Sequence, residues 1–292
     1  MSGARPHMHD GADFMTKIIG LIAWVGLGTA VSVTSAEVKS TSAKTNAVTG
    51  SRGKAMEMPA DIASVPALDF QIGDDPMKRY FLIGLPTNAP ATAGPYRLLL
   101  VLPGGDGSAE FTPFVRRIYK NALNERWLIA QLVAPMWDEQ QKMMVVWPSK
   151  AAPYPKAKFT TEEFADAVIA DARKRARVNT NEVFALAWSS GGPAVYAMAA
   201  RDDSPLAGAF VAMSVFLRAG NAEVSGFKGK SFYLLQSPED RITRFEQAEK
   251  AHDVLVAAGA RVHLQSYAGG HGWRGPVWPM MREGVKWLEN DK

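Results

Sequence analysis

The chain contains no cysteine among its 292 residues. Disulfide bonds, thiolate metal sites and a cysteine nucleophile are therefore excluded, and so is a lipid-modified cysteine at a signal cleavage site. An exported domain of this length does not need disulfides, because it buries enough apolar surface to be stable without them.

The chain also lacks any block of like charge. Its 33 Lys and Arg residues and 29 Asp and Glu residues are spread along the sequence, for a formal net charge of +4. This distribution is typical of an ordinary mixed-charge surface, so we expect no nucleic-acid partner. Hydrophobic residues make up 47% of the chain, which favours a globular protein with a large core over a disordered one.

The apolar run at residues 18–33 is shorter than the roughly 20 residues that a membrane-spanning helix needs, and Gly and Ser interrupt it. A short positive segment precedes the run, and the small residues Thr34, Ser35 and Ala36 follow it. Together these features indicate a secretory signal peptide cleaved near Ala36. We expect a secreted or periplasmic protein without stable membrane insertion after cleavage, and an uncleaved N-terminal anchor is the alternative.

The chain divides into three parts by composition. Residues 1–36 form the leader and signal peptide, with Met15 as a second plausible start. Residues 37–59 are rich in Ser, Thr, Lys and Ala without hydrophobic periodicity, which predicts a flexible linker. Residues 60–290 are predicted to be one folded domain.

Short apolar segments alternate with amphipathic ones through this domain. Strands are predicted at residues 67–72, 78–85, 97–102, 127–133, 183–187, 208–213, 231–236 and 261–267, and helices at residues 111–124, 161–176, 193–201, 244–259 and 279–289. The first two strands are expected to pair through a turn at residues 73–76. We therefore predict an α/β fold, a mostly parallel central sheet with helices on both faces, with functional groups where strands end and helices begin.

A serine stands where the predicted strand 183–187 passes into a helix. A nucleophile elbow needs small residues two positions before and two positions after the serine, because strand and helix pass closely there. Ala187 and Gly191 meet this requirement around Ser189. If Ser190 were the nucleophile, Trp188 would occupy a small-residue position, so Ser189 is the candidate, and a plain Ser/Gly turn is the alternative.

A serine hydroxyl is a poor nucleophile without a base that takes its proton, and the base needs a carboxylate to hold it. His7 and His9 precede the signal segment, and His252 and His263 fall within a predicted helix and a predicted strand. His271 lies in a glycine-flanked loop after the last predicted strand. His271 is therefore the candidate base, with a plain loop histidine as the alternative.

The acid is expected at a strand end between the serine and the histidine in chain order. Asp240 follows the predicted strand 231–236 and is the first choice, with Glu239 as the second. Asp202 and Asp203 follow the elbow helix too closely, and we expect them to be loop or capping residues.

Ester hydrolysis passes through a tetrahedral oxyanion that backbone amides stabilise. The predicted strand 97–102 opens into a glycine-rich segment at residues 103–108, whose amides can approach a ligand closely. We assign one oxyanion donor to the amide of Gly105, with Asp106 as the alternative, and the other to the amide of Ser190. A phosphate-binding loop is the competing interpretation, but the segment lacks both the lysine motif and the glycine spacing of such loops.

These motifs, in their order along the chain, resemble the α/β-hydrolase superfamily. Within it the sequence is similar to small secreted esterases of the polyhydroxybutyrate depolymerase, feruloyl esterase and dienelactone hydrolase kind, over residues 79–290. The sequence departs from the family pattern at Ala187, where glycine is usual, and at Pro103, where many members have histidine.

The resemblance implies a serine esterase that cleaves small or polymeric carboxylic esters through an acyl-enzyme, with Ser189, His271 and Asp240 as its triad and no metal or other cofactor. A serine peptidase or acyltransferase on the same triad is one alternative, and a non-catalytic binding protein on a hydrolase scaffold is another. Only about 18 residues separate the predicted strands 208–213 and 231–236, so no large lid domain is expected.

Four tryptophans are candidates for the rim of the site. Trp188 adjoins the serine, Trp273 lies near the histidine, and Trp137 and Trp147 belong to the long loop at residues 135–158. Flat indoles bind aromatic rings and sugar faces at small entropic cost, which predicts an open site for aromatic or polymeric esters. For Trp147 a core position is the equally supported alternative.

Overall fold

The computed structural model describes residues 59–88, 90, 94–217 and 224–289. The leader and signal peptide expected at residues 1–36 lie outside the described residues, as does the linker expected at residues 37–59 except for Pro59. The strands are β1 Ala67–Ile72, β2 Asp75–Ile83, β3 Tyr96–Leu102, β4 Trp127–Leu132, β5 Val178–Trp188, β6 Gly208–Ala212, β7 Ser231–Gln236 and β8 Arg261–Ser266. The helices are α1 Thr112–Ala122, α2 Gln141–Met144, α3 Thr161–Arg175, α4 Gly192–Ala200, α5 Phe245–Ala257 and α6 Val277–Glu289.

The strands form one sheet in the order β1-β2-β4-β3-β5-β6-β7-β8. The pairings of β1 with β2 and of β2 with β4 are antiparallel, and all the others are parallel. The predicted α/β class and the mostly parallel sheet are therefore confirmed. The hairpin between β1 and β2 is tighter than expected, because Gly73 and Asp74 both have positive φ and form a two-residue turn, which leaves Asp75 and Pro76 in β2.

Helices cover both faces of the sheet. On β3, Leu98, Leu100 and Leu102 pack in the cluster that includes the buried side chains of α3, α4 and α5. The alternate residues Leu99 and Val101 pack in the cluster that includes those of α1 and α6. Burial on both faces explains why these strands are continuous apolar runs rather than alternating ones.

Local sequence features mark two helix ends. Thr160 and Glu163 form a capping box at the start of α3. Gly259, with φ 84°, follows the end of α5. The sequence did not predict the short α2 or the amino-terminal part of β5. Within the described ranges, no helix is both long and apolar enough to cross a lipid bilayer.

Because β3 and β5–β8 run parallel, their carboxyl ends meet at one edge of the sheet. The segments that follow them carry all three predicted triad residues and the predicted oxyanion amides. This edge is where ligands bind in open α/β sheets.

Candidate active site

Ser189 lies at the sharp turn between β5 and α4. Its φ is 51°, a left-handed conformation that is disfavoured for any residue with a side chain. A Cβ atom on Gly191 would lie 2.4 Å from the carbonyl oxygen of Leu102, so strand β3 leaves room only for glycine there. Ala187 is fully buried. The requirement for small residues on both sides of Ser189 therefore comes from close backbone packing, as the sequence pattern indicated.

The structure brings together three residues that lie far apart in the sequence. The Oγ atom of Ser189 lies 3.1 Å from Nε2 of His271, and Nδ1 of the same ring lies 2.8 Å from Oδ2 of Asp240. With the Nδ1 proton donated to the carboxylate, Nε2 is the acceptor for the serine hydroxyl. Such a relay is able to move the serine proton onto the imidazole.

Asp240 is 4% exposed and has partners for both of its oxygens. Oδ1 accepts from the amides of Ile242 and Thr243 at 2.8 and 2.9 Å. Oδ2 accepts from the hydroxyl of Thr243 at 2.7 Å, from Nε2 of Gln236 at 3.0 Å and from His271. Burial pushes the pKa of Asp240 up, but the hydrogen bonds from His271 and Thr243 outweigh it and hold the pKa below its ordinary value. The side chain therefore stays a carboxylate.

Glu239, the second choice for the acid, has a different partner. Its side chain is exposed, and Oε2 accepts from the amide of Gly269 at 3.1 Å in the loop that carries His271. Asp202 accepts from Ser225, and Asp203 pairs with Arg201, so both are the loop residues that we expected. Of the two carboxylates considered as the acid, Asp240 is the one that is hydrogen-bonded to the imidazole of His271.

The glycine-rich segment after β3 lies against the elbow. The hydroxyl of Ser190 donates to the carbonyl oxygen of Gly105 at 2.9 Å. A Cβ atom on Gly104 would lie 2.5 Å from the indole of Trp188, so this segment also requires glycine for close approach. Within the described ranges, the amides of Gly105, Asp106 and Ser190 donate to no protein acceptor. These amides are available to a ligand, and both alternatives for the outer donor remain open.

Two of the four tryptophans predicted for the rim are buried instead. Trp147 is 1% exposed, and its indole N–H donates to the carbonyl oxygen of Pro103 at 3.0 Å. The rim position predicted for Trp147 is therefore wrong, and the alternative core position is confirmed. Trp188 is 5% exposed and packs edge-on against Phe111 and Phe114, so its face is not open to a substrate either.

Trp273 and Trp137 are both partly exposed and lie in different surroundings. Trp273 packs on Trp188, with ring centroids 5.8 Å apart, and follows His271 closely in the chain. Trp137 packs on Phe159 at 5.0 Å, on the side of the loop after β4. Of the four, only Trp273 is both accessible and adjacent to the triad in the chain.

Several supporting residues had no signal in the sequence. Ser214, which follows β6, donates to the backbone carbonyl of Ser189 at 2.6 Å. Thr243 and Gln236 donate to Asp240, and Tyr267 contacts the loop of His271. These four side chains share burial of a polar group, and burial is not predictable from the sequence without the tertiary structure. Within the described residues no group of three or more His, Asp or Glu side chains is arranged to hold a metal ion.

Comparison with solved structures identifies the fold. A Bacillus cereus carboxylesterase matches with a TM-score of 0.53 and 15% identity, covering 79% of this chain and 96% of that one. An α/β-hydrolase enzyme from a Medee basin deep-sea metagenome library matches with a TM-score of 0.58 and 12% identity, covering 78% and 98%. Thermogutta terrifontis esterase 2, phosphonylated by sarin, matches with a TM-score of 0.56 and 12% identity, covering 78% and 95%. No protein-family model and no curated protein matches the sequence. The chain therefore has the α/β-hydrolase fold.

Proposed function

We propose that this protein is a serine hydrolase that cleaves carboxylic esters. The observation that carries the proposal is the hydrogen-bonded series from Ser189 through His271 to Asp240, with distances of 3.1 and 2.8 Å, at a strained strand-to-helix turn. Backbone strain of this kind clusters at active sites. Solved structures with the same fold include proteins named as carboxylesterases, which favours ester substrates.

The reaction begins with attack of the Ser189 Oγ on the ester carbonyl carbon while its proton passes to Nε2 of His271. The carboxylate of Asp240 stabilises the imidazolium that forms, and the amides of Ser190 and Gly105, or Asp106 in place of Gly105, donate to the oxyanion. As the carbon–oxygen bond to the alcohol breaks, the imidazolium returns its proton to the leaving alkoxide. Water then attacks the acyl carbon while its proton passes to Nε2 of His271. The imidazolium returns that proton to the Oγ of Ser189 as the acyl bond breaks, which releases the carboxylic acid.

A peptidase or acyltransferase on the same three residues, and a binding protein without catalysis, are the competing functions. The hydrogen bonds that join Ser189, His271 and Asp240 argue against a binding protein without catalysis. Binding alone does not require the strained backbone at Ser189. The ester function is favoured over the peptidase because several of the structural neighbours are named as carboxylesterases or esterases.

Within this function we infer a preference for aromatic acyl groups. Trp273 is partly exposed and close to His271 in the chain, and an indole face binds an aromatic ring with little loss of conformational entropy. Polymeric esters with aromatic groups fit the same arrangement. The signal peptide expected at residues 1–36 makes export part of the proposal, which places such substrates outside the cytoplasm.

The test is covalent labelling with a fluorophosphonate probe, followed by peptide mapping of the modified residue. We expect the label on Ser189 and complete loss of labelling and ester turnover in Ser189→Ala. Ser190→Ala is the matched control: it removes only a hydroxyl that bonds Gly105 and keeps the backbone amide, so much of both signals should remain. Equal loss in both variants, with both folded, would show that the nucleophile is wrongly assigned.

Labelling without turnover of esters would point to a different acyl substrate. A panel of short, aromatic and polymeric esters beside peptide amides distinguishes these functions, since only an esterase hydrolyses the esters and leaves the peptides intact. Absence of labelling in the folded wild-type protein would contradict hydrolase function altogether.

A further inference from the structure

The loop that carries His271 has a backbone with little rigidity of its own. Gly269, Gly270 and Gly272 all have positive φ values, 109°, 77° and 100°. Glycine visits these conformations and the negative-φ ones about equally, so neither the glycines nor their neighbours hold the loop in one shape. Contacts from outside the loop must therefore hold the histidine in place.

Tyr267 supplies a contact on both sides of the histidine. It follows β8 directly and is 9% exposed, and its amide donates to the carbonyl oxygen of Gln236 at 3.2 Å. Its hydroxyl lies 2.9 Å from the carbonyl oxygen of Gly270 and 2.9 Å from that of Gly272. These two carbonyls belong to the residues before and after His271.

We propose that Tyr267 is a positioning residue for His271: its hydroxyl proton is shared between the carbonyl oxygens of Gly270 and Gly272, the residues on either side of the histidine. This inference rests on the proposed function, since it assigns a part in the reaction to a residue that does not touch the reacting atoms. With both flanking carbonyls held at the same point, the Cα atom of His271 keeps the position from which its ring reaches Asp240 and Ser189.

The phenol of Tyr267 stays protonated, as a hydrogen-bond donor to two carbonyls must. Burial, and then the negative charge of Asp240, raise the pKa of Tyr267, so that the hydroxyl keeps the proton it donates. Among the described residues, the hydroxyl also lies 3.8 Å from the sulfur of Met213, a weak acceptor that does not compete with two carbonyls.

Two further side chains hold the first half of the loop. The hydroxyl of Ser237 accepts from the amide of Gly270 at 3.1 Å, and Glu239 accepts from the amide of Gly269. Both lie in the segment after β7 that also carries Asp240. Tyr267 also holds the part of the loop after His271, through the carbonyl of Gly272. Tyr267 therefore bonds the loop on both sides of the histidine.

The experiment compares Tyr267→Phe with wild-type protein and with Tyr233→Phe. Phenylalanine preserves the ring and removes only the hydroxyl. Tyr233 lies on β7, and its hydroxyl bonds Gln265 away from the loop, so Tyr233→Phe is the matched control for loss of a phenol hydrogen bond. The measurements are kcat and KM with a soluble chromogenic acetate ester, and the NMR resonance of the proton shared by His271 Nδ1 and Asp240, assigned by its absence in His271→Asn.

We expect Tyr267→Phe to lower kcat about tenfold with KM unchanged, because misplacement of a catalytic group raises the barrier without weakening substrate binding. The shared-proton resonance should broaden or disappear, and both properties should stay as in wild type in Tyr233→Phe. A wild-type kcat with a retained resonance in Tyr267→Phe would overturn the proposal, and so would an equal effect in both variants.

If Tyr267→Phe does not fold, as circular dichroism would reveal, Ser237→Ala is the second variant. It removes the bond from the amide of Gly270 to Ser237 and leaves both bonds of Tyr267, so wild-type kcat and KM are expected. A tenfold fall in kcat would show that the bonds of Tyr267 do not hold the histidine and would overturn the proposal. If wild-type protein neither hydrolyses esters nor reacts with the fluorophosphonate, the proposed function fails. The resonance then still decides whether Tyr267 holds the histidine, because its loss in Tyr267→Phe supports that and its retention contradicts it.

Discussion

The hydroxyl of Ser214 donates a 2.6 Å hydrogen bond to the backbone carbonyl of Ser189. Ser214 is 5% exposed and follows β6, the strand that lies next to β5 in the sheet. This carbonyl also accepts from the amide of Gly192, so the Ser214 hydroxyl gives a second hydrogen bond to the residue of the elbow whose backbone is strained, with φ 51°. The neighbouring strand thus stabilises the turn that holds the candidate nucleophile.

Ser214→Ala should lower the free energy of unfolding by about 0.5–1.5 kcal/mol, the typical net contribution of one hydrogen bond, because the Ser189 carbonyl keeps its bond from the amide of Gly192. Urea unfolding at neutral pH measures the change. Ser225→Ala is the control, since that hydroxyl is exposed and bonds Asp202 at the surface, so its loss should change stability by no more than about 0.5 kcal/mol. Equal stabilities for the two variants would mean that the bond to Ser189 does not stabilise the elbow.

Asp240→Asn should lower kcat by about 10³–10⁴-fold, since an amide in this position favours the wrong imidazole tautomer and does not stabilise the imidazolium. Glu239→Gln should leave kcat close to wild type, because the glutamine keeps an oxygen for the amide of Gly269. Steady-state kinetics on one ester at neutral pH checks both. A larger fall in kcat in Glu239→Gln than in Asp240→Asn would show that Glu239, and not Asp240, is the acid of the triad.

The lowered pKa of Asp240 predicts how stability depends on pH. A carboxyl whose pKa is lower in the folded state contributes fully above its unfolded pKa of about 3.9, and the contribution disappears as the pH falls through the folded value. The unfolding free energy of wild type minus that of Asp240→Asn should therefore be constant above about pH 5 and shrink below about pH 4.

Urea unfolding curves of wild type and Asp240→Asn, recorded at a series of pH values that crosses this range, measure the difference in unfolding free energy. Asp74→Asn, in the exposed turn between β1 and β2, is the control because it leaves the buried carboxylate unchanged. A difference between wild type and Asp240→Asn that grows towards acid pH would have the wrong sign and contradict the prediction.

Trp273→Ala should reduce kcat/KM more for an aromatic acyl ester than for an acetate ester, because only the aromatic substrate loses contact with the indole face. Trp278→Ala is the comparison, since Trp278 packs on the same Phe114, with centroids 5.9 Å apart, but lies further from His271 in the chain. Its loss should affect both substrates alike. Equal losses of kcat/KM on both esters in Trp273→Ala would exclude an aromatic acyl site at this indole. Because no large lid domain is expected, the rate of hydrolysis should also not rise sharply at a lipid interface.

Much of the fold could be predicted because its signals are local. Burial on both faces makes each parallel strand a continuous apolar run, so β3, β6 and β7 were predicted to within one residue of their observed ends. The elbow could also be predicted from a local signal, because close packing of strand and helix requires small residues at fixed positions around Ser189. The choice of Ser189 over Ser190 rested on that spacing alone.

The direction of single side chains was not predictable in this way. Trp188 was expected at the rim, and Trp147 either there or in the core. Both are buried, because their rings pack in the two core clusters. Asp240 and Glu239 are neighbours with the same chemistry, and only the path of the chain after β7 decides which carboxylate meets His271.

The sequence by itself determined the order of strands and helices, the position of the elbow and the short list of groups able to carry the chemistry, since these depend on residue type and spacing along the chain. The tertiary structure alone decided that Ser214 supports the elbow, that Thr243 and Gln236 hold the carboxylate and that Tyr267 spans the histidine. These contacts join residues from different strand ends. They exist because parallel strands bring their carboxyl ends to one edge, where buried polar groups must find partners in each other rather than in water.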